Sequence, residues 1–299
     1  MNSIDIPTLF TTIFVLVDDW YQQTIEHSKP ILAGAKPLFS DSEILTLLLV
    51  MDYLPFPGET QFLGFIRANY LEWFPKLLDQ SQFNRRVRRL EGVLEQLRRF
   101  WVTQLGVHGE DSFVLDTKPI PVLGLKRDKR HSNFTGSATA GWCAARQMNY
   151  FGYKLVLLAT WLGVPIAYDL VPAHTDERQA AEGVLEAVRG CHIYGDKGFI
   201  GTEWQQHIAQ RTGNCIWTLK RVNQHQQHTP QLNRFISRIR QRIEGVFHEI
   251  QNTGRNPERL LNKTVAGLCV HIAAKMASHT LRLLLRRYYH IEVLTFSVC

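Results

Sequence analysis

Asp196 ends the short apolar run Cys191-His192-Ile193-Tyr194, and Gly195 and Gly198 let the chain turn sharply around its carboxylate. An aspartate at the end of a buried strand suits a metal ligand or a catalytic acid, although Asp-x-Gly is also an ordinary turn signal. Two further carboxylates bear on the choice. Asp116 closes the buried-strand pattern Ser112-Phe113-Val114-Leu115, which Pro119 and Pro121 are expected to terminate. Glu244 lies in the helical stretch 231–251, where Phe235, Ile239, Ile243, Val246, Phe247 and Ile250 form one apolar stripe. At about 100° per residue Glu244 falls beside that stripe, where a carboxylate can look into a cleft. Arg240 lies one turn earlier on the same flank, and Arg242 projects from the other edge.

Three such carboxylates suit phosphodiester transfer. Two Mg²⁺ ions about 4 Å apart need shared, hard oxygen ligands; one activates the attacking water or 3′-hydroxyl and the other stabilises the leaving 3′-oxygen. Lys197 and Arg240 are the neighbouring cations that could steady charge on the phosphate. The plainer alternatives are a turn-capping Asp116, a helix-end Lys197, and an Arg240–Glu244 surface ion pair worth about 0.3 kcal/mol.

The elements that must position these groups follow from pattern. Strands are expected at 112–115, 153–160, 164–171, 191–194 and 215–219, and helices at 176–188, 203–210 and 231–251. The order βββαβαβα implies a mixed sheet with helices on its faces. If the strands bearing Asp116 and Asp196 are neighbours, their carboxylates converge at the crevice beyond the strand ends.

The first third reads as helical. Ser40-Asp41-Ser42-Glu43 is a capping-box pattern before the apolar run 44–51, which Pro55 and Pro57-Gly58 stop. A helix over 82–101 carries Val87, Leu90, Leu94, Leu97 and Trp101 as a buried stripe. Arg85, Arg86, Arg88, Arg89, Arg98 and Arg99 crowd the rest of its surface. Arginine pairs bidentately with phosphate, so this face reads as a nucleic-acid contact; a merely solvated charged face is the alternative. Residues 106–110 read as the linker between a helical domain over 1–108 and an α/β domain over 109–299, the latter including C-terminal helices. Lys126, Arg127, Lys129 and Arg130 lie in a long insertion between strands, continued by the Gly/Ser/Thr-rich 133–141, which reads as a strand-guiding flap or a plain surface loop. Residues 264–285 form a strongly apolar helix for core or dimer packing.

Bulk properties agree with a globular chain that favours polyanions. There are 299 residues, 45% hydrophobic and 20% charged, with a formal net charge of +7. The five cysteines are scattered without a C-x-x-C pair, which suggests reduced thiols and neither a disulfide framework nor a zinc site. The apolar run 9–17 lacks the flanks of a signal peptide and is too short to span a bilayer, so a cytoplasmic, nucleoid-associated protein without membrane partners is expected.

Several of these pieces together resemble a known family. Val114-Leu115-Asp116-Thr117, Phe151-Gly152-Tyr153-Lys154-Leu155, Pro172-Ala173-His174-Thr175-Asp176, Tyr194-Gly195-Asp196-Lys197-Gly198-Phe199 and Arg240-Gln241-Arg242-Ile243-Glu244-Gly245-Val246-Phe247 are similar to segments of bacterial insertion-sequence transposases with an RNase H-like DDE domain. Phe39-Ser40-Asp41-Ser42-Glu43-Ile44-Leu45 and Phe83-Asn84-Arg85-Arg86 resemble that family's leader domain, and the insertion-sequence group numbered nine-eight-two is the most similar. The resemblance implies an all-helical DNA-binding domain followed by an RNase H-like α/β fold. Asp116, Asp196 and Glu244 would be its metal-binding catalytic triad, with Mg²⁺ as cofactor and Mn²⁺ as a substitute. It further implies double-stranded DNA partners, namely terminal inverted repeats and target DNA, and a homodimer or higher oligomer on DNA. Arg85, Arg86, Arg89, Lys126, Arg127, Lys129, Arg130, Lys197 and Arg240 would contact that DNA. Related transposases often place Tyr seven residues before the Glu and Lys seven after it; Ser237 and Gln251 stand there, so no end-binding role carries over. Two alternatives remain open at this point: an RNase H-like hydrolytic nuclease, and a non-catalytic DNA-binding derivative.

Overall fold

The computed structural model describes residues 2–28, 37–124, 132–143, 147–220, 228–251, 253–257 and 260–293, and of Asn2, Ser3 and Arg240 only their place in a strand or helix. In chain order the elements are β1 (Asn2–Ser3), α1 (Ile6–Thr24), α2 (Asp41–Val50), α3 (Glu59–Asn69), α4 (Gln80–Arg89), α5 (Glu91–Gln104), β2 (Ser112–Leu123), β3 (Thr139–Cys143), β4 (Met148–Thr160), β5 (Pro165–Pro172), α6 (Glu177–Leu185), β6 (His192–Gly195), α7 (Thr202–Thr212), β7 (Cys215–Thr218), α8 (Pro230–Gln251), α9 (Val265–Tyr289) and β8 (Ile291–Glu292). They fall into two compact units, Met1–Leu105 with Ile250–Cys299, and Gly106–Glu249.

The first unit is helical. The capping box at α2 is complete: Ser40 Oγ accepts the Glu43 N–H, and the Glu43 carboxylate accepts the Ser40 N–H. The expected single helix over 82–101 is instead α4 and α5, divided at Leu90. Its stripe Val87, Leu90, Leu94, Leu97 and Trp101 is buried as expected. α9 packs against α5 and α2, and Leu268, Met276, Leu281 and Leu285 are buried along it. The chain passes from one compact unit to the other after Leu105 and returns to the first at Ile250. The C-terminal helix belongs to the helical unit, because its apolar surface is buried there. Among the described residues no helix is long and apolar enough to cross a membrane.

A buried charge cluster ties the returning chain into this unit. Arg255 Nε donates to Asp52 at 3.0 Å and Arg255 Nη2 to the Leu48 carbonyl at 2.9 Å. Lys275 Nζ stands 3.4 Å from the same carboxylate and donates to Thr253 Oγ1. All three charged side chains are buried.

The second unit is built on one mixed sheet, with strand order β3–β4–β2–β6–β7 and β5 also on β4. β4 runs antiparallel to β2, β3 and β5, whereas β2–β6 and β6–β7 are parallel. Long β4 can hold both β3 and β5 because it offers them different halves, Met148–Gly152 and Tyr153–Ala159. Two expectations are corrected here. Residues 139–141, read as the end of a loop, belong to the strand Thr139–Cys143, because the N-terminal half of β4 offers a ladder that a local pattern cannot reveal. And β2 does not stop after Asp116 but continues to Leu123 through Pro119 and Pro121. Pairing with β6 ends at Leu115, so beyond it one edge of β2 is free of that ladder. Two prolines spaced two apart lack their N–H on the same side, which an unpaired edge tolerates.

One face of the sheet carries Phe113, Leu115, Val156, Leu158 and Ile193 against Ala181, Val184 and Leu185 of α6 and Ile208 of α7. α8 covers the other face with buried Ile236, Ile239, Ile243, Val246 and Phe247, each worth about 1.5–3 kcal/mol of transfer free energy. The stripe thus shifts by one residue at its start: Ile236 is buried, whereas Phe235 is 47% exposed with its ring edge-on to Tyr194. Arg242 anchors the helix by donating to the Trp161 and Leu162 carbonyls at 2.9 and 2.8 Å.

Candidate active site

Asp116 and Asp196 are brought side by side by register. Leu115 on β2 is the parallel partner of Gly195, the last residue of β6, and the residue after each is an aspartate. Each carboxylate then accepts the N–H that follows it: Thr117 N donates to Asp116 Oδ1 at 2.7 Å, and Lys197 N to Asp196 Oδ1 at 2.5 Å. These bonds hold one oxygen of each group toward the backbone. Asp196 is also the N-cap of a one-turn 3₁₀ helix, Lys197–Phe199, and both aspartates are half-buried.

Glu244 is exposed on α8. One turn further on, the Phe247 ring receives the Lys118 ammonium at 5.5 Å from its centroid. Lys118 and Asp116 are two apart on β2 and share its α8-facing side. Glu244 therefore lies one helical turn from a residue that touches the Asp116 face. Carboxylate oxygens alone are hard donors and fit a hard divalent cation. Among the described residues, however, no group of three or more His, Cys, Asp or Glu stands close enough to hold a metal ion. The register sets the two aspartates beside each other, and Glu244 stands on the helix that faces the same side of β2 as Asp116.

The cations divide more sharply. Lys197 is exposed beside Asp196. Lys126, Arg127, Lys129, Arg130 and the side chain of Arg240 lie outside the described residues. In the helical unit Arg85 and Arg89 are exposed. Arg86 instead donates to Asp41 at 2.5 Å and to the Phe39 carbonyl, and buried Arg98 forms a two-pronged bond to Glu95 at 2.8 and 2.7 Å. Of the six arginines expected on that surface, these two are engaged within the fold, and exposed Arg99 also pairs with Glu95 at 2.9 Å. His174 and Asp176 also have structural partners: the His174 N–H donates to Thr139 Oγ1 at 3.0 Å, and Asp176 caps α6 by accepting the Arg178 N–H at 3.0 Å.

One residue of the neighbourhood has no sequence signal. Glu177, at the start of α6, accepts the Thr117 hydroxyl at 3.2 Å and packs on Gly198. Only the contact between three separate segments singles it out.

Residues 108–256 match the family model described as "Transposase DDE domain". This chain belongs to the DDE transposases. The matched segment includes β2, β6 and α8, and so Asp116, Asp196 and Glu244. Among curated proteins nothing matches the transposase. Solved structures similar to it include "Mos1 transposase paired-end complex with left transposon end", at 14% identity over 78% of this chain and 86% of that one with a TM-score of 0.24. Another is "Crystal structure of the Mos1 Strand Transfer Complex", at 16% identity over 89% of this chain and 84% of that one with a TM-score of 0.23.

Proposed function

We propose that Asp116, Asp196 and Glu244 are the catalytic carboxylates of this transposase, that they hold Mg²⁺ or its substitute Mn²⁺, and that they cut and join DNA at the ends of an insertion sequence. The observation carrying this reading is the parallel pairing of Leu115 with Gly195, which sets two aspartates next to each other where the β2–β6 ladder ends. A bound divalent cation supplies Lewis-acid activation of the attacking oxygen and neutralises the leaving one. The chain's own part is positional. Thr117 N and Lys197 N orient the aspartates, and α8 carries Glu244 over the same face of β2 as Asp116. Lys197 and Arg240 supply positive charge for the scissile phosphate. Arg85 and Arg89 of the helical unit, and Lys126, Arg127, Lys129 and Arg130 of the insertion, contact the DNA backbone, whereas Arg86 is held by Asp41 and the Phe39 carbonyl. The helical unit is the DNA-binding domain. The working form is a homodimer or higher oligomer assembled on paired ends, inside the cytoplasm at the nucleoid.

The test is a strand-cleavage and joining assay on duplex DNA carrying the sequences that flank the gene, with Mg²⁺. Asp196→Asn, which keeps size but removes the charge, is expected to lower cleavage at least a thousandfold. Equal rates for wild type and variant would sink the assignment. Cleavage without joining would favour the hydrolytic nuclease.

A further inference from the structure

We propose that Glu177 is a positioning residue of the carboxylate site, holding the segments after Asp116 and after Asp196 at once; the proposal rests on the assignment of those two aspartates to catalysis. Glu177 is the first residue of α6, where a negative charge is favoured by the helix N-terminus. One carboxylate oxygen, Oε1, accepts the hydroxyl of Thr117, the residue whose N–H orients Asp116. The other, Oε2, lies against Gly198, two residues past Asp196. A Cβ at Gly198 would overlap that oxygen and stand 2.6 Å from Glu177 Cδ.

Gly198 has no positive φ to explain it. Gly198 leaves open the space that the Glu177 carboxylate occupies. A methyl group there would expel the flexible Glu177 side chain, and with it the hold on Thr117. The same carboxylate thus couples the middle of β2 to the turn after β6, and losing a residue that orients metal ligands in this way commonly changes metal affinity or activity roughly 10- to 100-fold.

The test uses the full chain and four variants: Glu177→Ala, Glu177→Gln, Gly198→Ala and the Glu177→Ala/Gly198→Ala double. Mn²⁺ binding is read from the paramagnetic resonance signal of the free ion, beside thermal melting and cleavage of the flanking-sequence duplex. Glu177→Ala is expected to weaken Mn²⁺ binding about tenfold or more with the melting temperature little changed. Glu177→Gln keeps an oxygen acceptor for Thr117 and is expected to recover most of it. Gly198→Ala should lose as much as Glu177→Ala, and the double variant no more than either, because both remove one contact. Wild-type Mn²⁺ affinity in Glu177→Ala, or losses that multiply in the double variant, would overturn the proposal. Asp196→Asn separates the layers. Loss of Mn²⁺ binding there with none in Glu177→Ala defeats the positioning role alone, whereas unchanged binding and cleavage in Asp196→Asn defeats the underlying site.

Discussion

Leu115 of β2 stands opposite Gly195 of β6 in parallel register, and through that pair the fold brings Asp116 and Asp196 together. The glycine is sterically required. A Cβ on Gly195 would stand 2.7 Å from Cδ2 of Phe199, which is buried and cannot swing away. Gly195→Ala is therefore expected to cost about 1–3 kcal/mol by overpacking and to lower cleavage more than its melting shift explains. Parallel melting and cleavage measurements check this; full activity would show that the Asp196 turn tolerates displacement.

Arg242 fastens α8 to the β4–β5 turn through two carbonyls and reaches Glu249 at 3.5 Å. Arg242→Ala is expected to destabilise by about 1.5–3 kcal/mol, the scale of bonds to a charged donor. Arg242→Lys should recover little, because an ammonium cannot span both carbonyls as a guanidinium does. Denaturant unfolding of the two variants decides the point.

Removing the acid from the buried cluster leaves two cations without their counter-charge. Asp52→Ala should cost about 3–5 kcal/mol, since Arg255 and Lys275 stay buried and Asp52 no longer pairs with them. A melting temperature within a degree of wild type would contradict the cluster.

The same region sets a pH dependence. Burial, chiefly, lowers the Lys275 pKa from 10.5 to about 8, against the opposing pull of Asp52. The unfolded chain then holds the proton between about pH 8 and 10.5 while the folded one releases it, so this group makes stability rise with pH across that window. Burial also holds the His271 imidazole well below its ordinary value of 6.5, with Arg255 and Lys275 adding to the effect. The unfolded chain binds that proton first, so stability falls as pH drops below about 6.5. Unfolding free energies from pH 5 to 10 should show both slopes; Lys275→Met should flatten the alkaline one and His271→Phe the acidic one.

The arginines of α4 should separate by role. Arg89→Ala is expected to weaken duplex binding and reduce its salt slope by about 1, with unchanged melting, as for a lost phosphate contact. Arg86→Ala should instead lower stability, because it abandons Asp41 and the Phe39 carbonyl. Equal effects of the two on salt slope and melting would erase the distinction.

Local chemistry was legible in the sequence by itself: the apolar runs that become β2, β6 and β7, the capping box at Ser40 and Glu43, the stripe of α8, and the carboxylates that end or flank them. Periodicity and capping act within a few residues, so a linear reading captures them. Long-range contact decided the rest. β2 passes through two prolines because β6 stops pairing at Leu115, Thr139–Cys143 becomes a strand because β4 has a free half, and α9 returns to the helical unit because its apolar surface is buried there. Arg86 and Arg98 look like surface charge until Asp41 and Glu95 stand beside them. Glu177 and Gly198 lie in different elements, and only their packing shows why each is there: a side chain's partners depend on register and layer, which neighbours in sequence do not encode.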